Sequence, residues 1–312
     1  MAPSRSGEHD WAHTPERSNP LALRLMRWIA LACGRRVARC VLHPITLYFL
    51  LFAPAPRRHA RRYLARALGR PARWRDLYRH LFCFTATILD RVYLLGGRLD
   101  LFKVSVRGEP LIDATLSEGR GAFLIGAHLG SFEVLRAVGQ TRAGLRIAMV
   151  MYPDNARLIN QALRAIAPDF QPHIIALGRR DSMLALRDWL DSGGLAGVLA
   201  DRALAEASLR SSSVSVPFLG REVQFSDGPF RLAALLRRRV IFMVGLYAGG
   251  NRYDVRFEAL ADFSVGCGEA PEREQRIHAA VLAYAAQLEA LCLEAPFNWF
   301  NFHDFWGEET AA

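Results

Sequence analysis

The sequence predicts an α/β fold in which a central, mostly parallel sheet is flanked by helices. From residue 104 onward, apolar runs of strand length alternate with amphipathic segments of helical spacing. These strand runs are apolar throughout, which is typical of parallel strands covered by helices on both faces. The chain has 312 residues, of which 51% are hydrophobic, so it is long enough and apolar enough to bury such a core.

The chain before residue 104 has a different character. Residues 1–18 are polar and lack periodicity, so we expect a mobile tail. We expect residues 19–103 to be helical and membrane-associating. Their apolar runs, at residues 28–33 and 41–53, are shorter than the ~20 residues of a spanning helix and alternate with arginines. The sequence thus favours helices lying in the membrane interface, with core helices as the alternative, and one cooperative domain that includes residues 104–312.

The predicted elements follow in order along the chain. A helix over residues 71–98 ends at a Gly-Gly pair, and LFKVSVRG opens the sheet region. Strand and helix patterns then alternate as GAFLIGAHL and SFEVLRAVGQT, LRIAMVMY and NARLINQALRAIA, HIIAL and DSMLALRDWLDSG. LAGVLAD leads into a polar loop, VIFMVGLYA and YDVRFEAL read as strands, and residues 271–294 read as a long helix. This order predicts one sheet built from successive strand–helix units.

Charge and cysteine content narrow the class of partner. The net charge is +10, and Lys103 is the only lysine, so nearly all positive charge is arginine. Arginine preference fits GC-rich codon usage, but the net excess suits nucleic acid, an anionic membrane or an acidic carrier protein. The five cysteines form no CxxC and no zinc-like cluster with histidine, so we expect no metal or cofactor and a reducing, cytosolic compartment.

The segment GAFLIGAHLGSFEVLRAVG places an ionisable pair where a predicted strand turns into a helix. His128 follows the strand, Glu133 lies in the first helical turn, Gly130 allows a tight turn and Ser131 can cap the helix. A carboxylate beside an imidazole selects its tautomer and makes it a better base, which can take a proton from an alcohol attacking an acyl group. A histidine satisfied at a strand end is the competing interpretation. The spacing excludes HExxH, and GxSxG is absent.

Four blocks in order resemble one known family. The first, HLGSFE from His128 to Glu133, is similar to the HX4(D/E) motif of the lysophospholipid acyltransferase superfamily. The others resemble its lipid A acyltransferase branch: MVMYPDNARLINQ, SMLALRDWLDSGGLAGVLADRAL and VPFLGREVQFSDGPFRLAALLRRRV. The resemblance implies a glycerolipid acyltransferase-like fold and an acyltransferase that moves an acyl chain from acyl carrier protein or acyl-CoA to a hydroxyl of a membrane lipid or glycolipid.

The resemblance also implies roles for individual residues. His128 would be the general base and Glu133 its orienting partner, without a metal or cofactor. Asp201, Arg202 and Arg231 are candidates for substrate binding, although Arg202 can equally pair with Asp201 as scaffold, and Arg231 can be a solvated helix residue. Backbone N–H groups near Gly130 and Ser131, or an arginine, would hold the carbonyl oxygen as it becomes negative. The expected location is the cytoplasmic face of the bacterial inner membrane.

The C-terminal stretch PFNWFNFHDFW departs from the lipid A branch. Asp304 stands where that branch is basic, which makes a bis-phosphorylated lipid A precursor a doubtful acceptor. The stretch resembles a subgroup linked to aryl-polyene clusters, although packing of most of its rings against the sheet is the favoured interpretation. A basic protein that binds membranes or nucleic acid without catalysis is the alternative function, and we expect no nucleic acid partner.

Overall fold

The structure is a computed structural model. It describes residues 20–140, 145–153, 162–164, 167, 170–178, 180–201, 213–266 and 269–307. The expected tail at residues 1–18 lies outside these ranges. So do Arg202, Cys267 and most of the helix predicted in NARLINQALRAIA.

In the part of the chain that the structure describes, three α-helices precede the sheet. They are α1 (Pro20–Phe52), α2 (Pro54–Ala67) and α3 (Trp74–Leu95). Helix α1 is interrupted at Gly34, whose φ of 79° and ψ of 168° are not helical. Helix α3 ends at Gly96, which confirms the end predicted from the Gly-Gly pair. The helical part of the predicted N-terminal region is therefore confirmed.

The central sheet has seven strands in the order β1-β9-β8-β2-β5-β3-β4. The strands of the described chain are β1 (Lys103–Arg107), β2 (Phe123–Gly126), β3 (Ile147–Met151), β4 (Ile174–Ala176), β5 (Leu195–Leu199), β6 (Ser213–Phe218), β7 (Arg221–Ser226), β8 (Arg239–Tyr247) and β9 (Arg252–Asp262). Every neighbouring pair in the central sheet is parallel except β8 and β9, which form an antiparallel hairpin. The predicted mostly parallel sheet is confirmed.

Strands β6 and β7 form a separate antiparallel hairpin that the sequence patterns did not predict. Leu219 and Gly220 make its turn, with φ values of 47° and 79°. Such left-handed pairs suit a two-residue hairpin turn. Phe218 and Phe225 point from this hairpin into the core. The block VPFLGREVQF therefore shapes a hairpin beside the main sheet.

Helices cover both faces of the central sheet. Among the described residues, those after α3 are α4 (Glu109–Ser117), α5 (Phe132–Gln140), α6 (Arg180–Asp191), α7 (Gly228–Leu235) and α8 (Ala270–Glu294). Side chains alternate along β2: Phe123 and Ile125 enter a cluster with α2, α7 and α8, whereas Leu124 enters a cluster with α1, α4 and α5. Helix α3 contributes to both clusters, so the N-terminal helices share the core of the sheet.

A buried ion pair ties α1 to this core. The guanidinium of Arg35 donates to both carboxylate oxygens of Asp90 on α3, at 2.8 and 2.9 Å. The hydroxyl of Tyr253 on β9 donates to the same carboxylate at 2.8 Å. Because a buried charge is stable only when it is paired and hydrogen-bonded, these contacts hold α1 in one position on the sheet.

Within the described residues, α8 is the one helix that by itself is long and apolar enough to cross a membrane. However, 44% of its most apolar window is buried inside the molecule, where Val281, Tyr284 and Leu288 belong to the core. Helices α1 and α2 meet the same test only as a pair, and they are bent by 94° relative to each other. Length and composition thus give weak support for a membrane span.

Candidate active site

The register of the sheet brings His128 next to Asp201. Strand β2 lies between β8 and β5, and Gly126 at its end pairs with Leu199 at the end of β5. The strands are parallel, so residues two positions beyond these ends emerge together at the carboxyl edge of the sheet. Those residues are His128 and Asp201. This edge is where open α/β sheets place their ligand sites.

Asp201 holds the imidazole of His128 in one orientation. Its Oδ1 atom lies 2.8 Å from Nδ1 of His128, and its Oδ2 atom accepts the backbone N–H of His128 at 3.0 Å. A carboxylate only accepts, so Nδ1 carries the proton and Nε2 is left with the free lone pair. The Asp201 side chain is 2% exposed and that of His128 is 31% exposed. The ring is therefore anchored on its buried side and accessible to solvent.

Glu133 does not take the role predicted for it. Its carboxylate pairs with Nε of Arg91 on α3 at 2.9 Å and accepts the hydroxyl of Ser131 at 3.1 Å. The expectation that Glu133 orients His128 is corrected, because Asp201 occupies the Nδ1 side of the ring. The first turn of α5 directs Glu133 towards α3, where the helix dipole and an arginine both favour its charge. Glu133 thus joins α5 to α3, beside the histidine loop.

The histidine loop, residues 127–131, runs in close contact with β8. Gly130 has a φ of 72°, and a Cβ atom there would lie 2.0 Å from the carbonyl oxygen of Gly245. The N–H of Ser131 donates to the same oxygen at 2.8 Å. A Cβ atom on Gly245 would in turn lie 2.5 Å from the carbonyl oxygen of Ser131. Glycine is thus required at both positions for the loop to approach the strand.

The C-terminal aromatic segment lies on the other side of this loop. The N–H of Phe300 donates to the carbonyl of His128 at 2.8 Å, and the N–H of Gly130 donates to the carbonyl of Asn298 at 2.9 Å. Trp299 is fully buried. Phe297, Phe302, Phe305 and Trp306 are partly buried against the same core cluster. The favoured interpretation of this stripe as packing is confirmed, and the packing turns out to be against the site itself.

Burial favours the neutral forms of four other titratable side chains. Tyr284 donates to the carbonyl of Gly126 at 3.0 Å, and burial raises the pKa of its hydroxyl well above the ordinary value. Burial lowers the pKa of His80, which bonds to the carbonyl of Phe297, to about 4. Burial raises the pKa of Cys83 to about 11, and raises that of Cys292 still further. These thiols are therefore protonated at neutral pH and are poor nucleophiles.

Comparison with protein families agrees with this geometry. The model of one family, described as bacterial lipid A biosynthesis acyltransferase, matches residues 21–307. The match includes the N-terminal helices, the histidine loop and the C-terminal aromatic segment. The chain belongs to this family. No curated protein matches the chain.

Membership in the bacterial lipid A biosynthesis acyltransferase family establishes an acyltransferase family, and one that is typically membrane-associated. Family membership does not identify the acyl donor, the acceptor or the reacting residues, which have to be inferred from the geometry of the site. Among the described residues, no group of three or more histidine, cysteine, aspartate or glutamate side chains could hold a metal ion. A histidine–carboxylate pair lies at the carboxyl edge of the sheet of this acyltransferase.

Two arginines, Arg202 and Arg231, were also predicted as site residues. Arg202 lies outside the described residues. Arg231 on α7 donates to Asp227 at 2.8 Å and, through two nitrogens, to Glu274 on α8 at 2.7 Å. A bidentate pair of this kind fixes the guanidinium between two helices. These contacts favour a structural role for Arg231 in the acyltransferase.

The close approach at Gly130 leads to a testable prediction. We expect Gly130→Ala to lower the free energy of unfolding by about 3 kcal/mol and to abolish most acyl transfer, because the added carbon meets a backbone oxygen at a positive φ. Gly220→Ala is the matched control, since Gly220 has a φ of 79° but a Cβ atom added there would have no other atom within 4 Å. We expect it to cost about 1 kcal/mol and to leave activity unchanged. Chemical denaturation and a transfer assay would measure both, and equal losses would contradict the steric argument.

Proposed function

We propose that this protein transfers an acyl chain from a thioester donor to a hydroxyl of a membrane lipid or glycolipid, with His128 as general base oriented by Asp201. The observation that carries the proposal is the partly exposed imidazole bound through Nδ1 to a buried carboxylate. Nε2 of His128 takes the hydroxyl proton as the oxygen attacks the carbonyl carbon. The tetrahedral intermediate then expels the thiolate by breaking the carbon–sulfur bond, and the imidazolium returns the proton to that sulfur.

Direct transfer between the two substrates fits the site better than an acyl-enzyme. A covalent intermediate requires an activated nucleophile close to the base. Ser131 donates its hydroxyl to Glu133 at 3.1 Å rather than to the imidazole. The pKa values of Cys83 and Cys292 are raised by burial, which leaves both thiols protonated. The acceptor hydroxyl therefore attacks the thioester itself.

The negative carbonyl oxygen of the intermediate needs a donor. Of the two sources that the sequence allowed, three of the backbone N–H groups near Gly130 are already engaged. The N–H groups of His128, Gly130 and Ser131 donate to Asp201, Asn298 and Gly245. This arrangement favours the other source, an arginine side chain, as the group that stabilises the oxyanion.

Helix α1 carries the surface that we assign to the membrane. Its inner face buries Ala38, Leu42, Thr46 and Leu50 at a spacing of four residues. The opposite side exposes large apolar side chains: Leu25, Trp28, Leu31, Val37, Leu47, Tyr48, Leu51 and Phe52. Trp74 is exposed close by, beneath the guanidiniums of Arg57 and Arg61 at 5.4 and 5.3 Å. Exposed apolar rings beside arginines suit the boundary of an anionic bilayer.

Substitution on this surface is expected to reduce membrane binding. We expect the double variant Trp28→Ser, Phe52→Ser to bind anionic lipid vesicles at least about tenfold more weakly. The serines lack the favourable free energy that the aromatic side chains gain when they move from water into the bilayer. Leu235→Ser with Val265→Ser is the matched control, because these side chains are similarly exposed but lie off α1. Vesicle sedimentation measures both variants. Equal weakening by the two pairs would place the membrane contact elsewhere.

The acceptor is expected to differ from a bis-phosphorylated lipid A precursor. Asp304 stands where the lipid A branch carries a basic residue, and its carboxylate pairs with Arg62 at 3.8 Å. A basic group is the usual partner for a phosphate, and an aspartate opposes it. We therefore propose a lipid or glycolipid hydroxyl as acceptor. The donor is an acyl carrier protein or coenzyme A thioester with either a fatty acyl or an aryl-polyene chain.

The proposal is tested with the full chain in vesicles of bacterial lipid extract. Radiolabelled acyl carrier protein and acyl-CoA are supplied in separate reactions, and lipid products are separated and identified by mass spectrometry. We expect label to move from one of the two donors into an ester of a lipid. No transfer from either donor, together with salt-sensitive duplex binding and no vesicle binding, would instead support the nucleic acid alternative.

A further inference from the structure

The C-terminal segment 298–300 is joined to the site by an isolated antiparallel β-bridge. Leu129 and Trp299 face each other as a bridge pair, flanked by the two backbone hydrogen bonds that join His128 to Phe300 and Gly130 to Asn298. The side-chain amide of Asn298 accepts the N–H of Tyr247 at 2.8 Å and donates to the carbonyl of Tyr247 at 3.2 Å. The segment thus joins the histidine loop to the end of strand β8.

Trp299 also contacts the carboxylate that orients the base. Its indole N–H donates to Oδ2 of Asp201 at 2.9 Å, and both side chains are buried. The same Oδ2 atom accepts the backbone N–H of His128, while Oδ1 accepts Nδ1–H. A buried carboxylate is stable only with several donors, and charge-assisted bonds of this kind are the stronger ones. The indole therefore helps to hold the plane of the carboxylate that faces His128.

The indole itself has little freedom to move. Its ring meets Tyr63, Phe305 and Phe218 at right-angled edge contacts, with centroid distances of 4.9, 5.0 and 5.4 Å. Interlocked aromatic rings of this kind lock a side chain in one rotamer. A donor that is already fixed loses no further freedom when the reaction begins, so it preorganises the group that it contacts.

We propose that Trp299 is a positioning residue for acyl transfer: its indole N–H fixes Asp201, and through Asp201 it fixes the imidazole of His128. The inference rests on the proposed function, because it assigns His128 as the base. Trp299 does not touch the reacting atoms. Its effect is therefore on kcat rather than on substrate binding.

The first test replaces the indole by a ring without a donor. Trp299→Phe is expected to lower kcat about tenfold, the value of a lost hydrogen bond to a charged group, with KM unchanged within about twofold. Trp189→Phe is the matched control, since the indole of Trp189 donates to the carbonyl of Leu195, also at 2.9 Å, on a different part of the sheet. We expect wild-type kcat from the control. Unchanged kcat in Trp299→Phe, or the same loss in both variants, would overturn the proposal.

A double-mutant cycle separates positioning from packing. If Trp299 acts through Asp201, adding Trp299→Phe to Asp201→Asn should lower kcat by less than about twofold further. A packing effect would instead lower kcat by the same factor in both backgrounds. That result would overturn the assignment.

A spectroscopic arm tests the contact without any activity. The chain has six tryptophans, so a protein labelled with ¹⁵N-tryptophan gives up to six indole N–H signals, and Trp299→Phe identifies the signal of Trp299. We expect this signal to move upfield in Asp201→Asn, because the charged acceptor is lost. An unmoved signal would show that the contact is absent. If the wild-type protein transfers no acyl group, the proposed function fails, while this spectrum still judges the contact.

Discussion

His128→Ala is expected to lower kcat/KM for acyl transfer by about a thousandfold, the range in which a general base contributes to catalysis. The imidazole is the exposed end of a pair whose other member is buried, and its Nδ1 atom is held by Asp201 at 2.8 Å. Alanine removes the base that takes the hydroxyl proton. Initial rates with a radiolabelled thioester donor would measure the effect, and circular dichroism would show that the fold is retained.

His278→Ala is the matched control for this variant. His278 lies exposed on α8, away from the histidine loop in sequence and on the outer side of its helix. We expect its rate to match that of the wild-type protein. If His128→Ala retained full activity, the catalytic assignment would end, and a lipid-binding protein that keeps the fold would become the better interpretation.

Asp201→Asn is expected to cost nearly as much as His128→Ala, about a thousandfold in kcat, with little change in KM. Oδ2 of Asp201 accepts two N–H donors, so an amide nitrogen in that place would oppose both. The flipped amide would instead direct its nitrogen at Nδ1 and favour the tautomer that carries the proton on Nε2. Because the first arrangement opposes two N–H donors, the flipped one is favoured, and it leaves His128 with a protonated Nε2 that cannot act as a base.

Glu133→Gln provides the comparison within the same motif. Its carboxylate pairs with Arg91 and Ser131 rather than with the imidazole, so we expect a loss of about tenfold or less, through the joint between α5 and α3. Steady-state rates for both variants would show which of the two carboxylates contributes more to kcat. A larger loss in Glu133→Gln than in Asp201→Asn would restore the pairing predicted from the sequence.

Much of the fold could be predicted because it depends on local patterns. Continuous apolar runs predicted β2, β5 and β8, and helical spacing predicted α5, α6 and α8. The Gly-Gly pair predicted the end of α3. The β6–β7 hairpin was missed, because its turn at Leu219 and Gly220 lacks the Asn-Gly or Asp-Gly pair that usually signals a hairpin.

The site was predictable only in part, because the carboxylate that contacts His128 is distant from it in the sequence. HX4E places His128 and Glu133 five residues apart, and this proximity suggested a partnership. Across the helix start, however, the two side chains turn towards different neighbours. Asp201 is brought to His128 by the pairing of Gly126 with Leu199. No local pattern contains that register, because it depends on which strands the chain sets side by side.

The sequence by itself determined that a histidine would stand at the carboxyl end of a central strand, since the apolar run before it and the helical pattern after it leave no other place. Only the tertiary structure decided which carboxylate would meet that histidine and which indole would meet the carboxylate. Asp201 and Trp299 lie far along the chain from His128, and they reach it through sheet register and through an antiparallel bridge to the C-terminal segment. Side-chain partners at such distances are set by packing of the whole core, whereas local periodicity sets the elements that carry them.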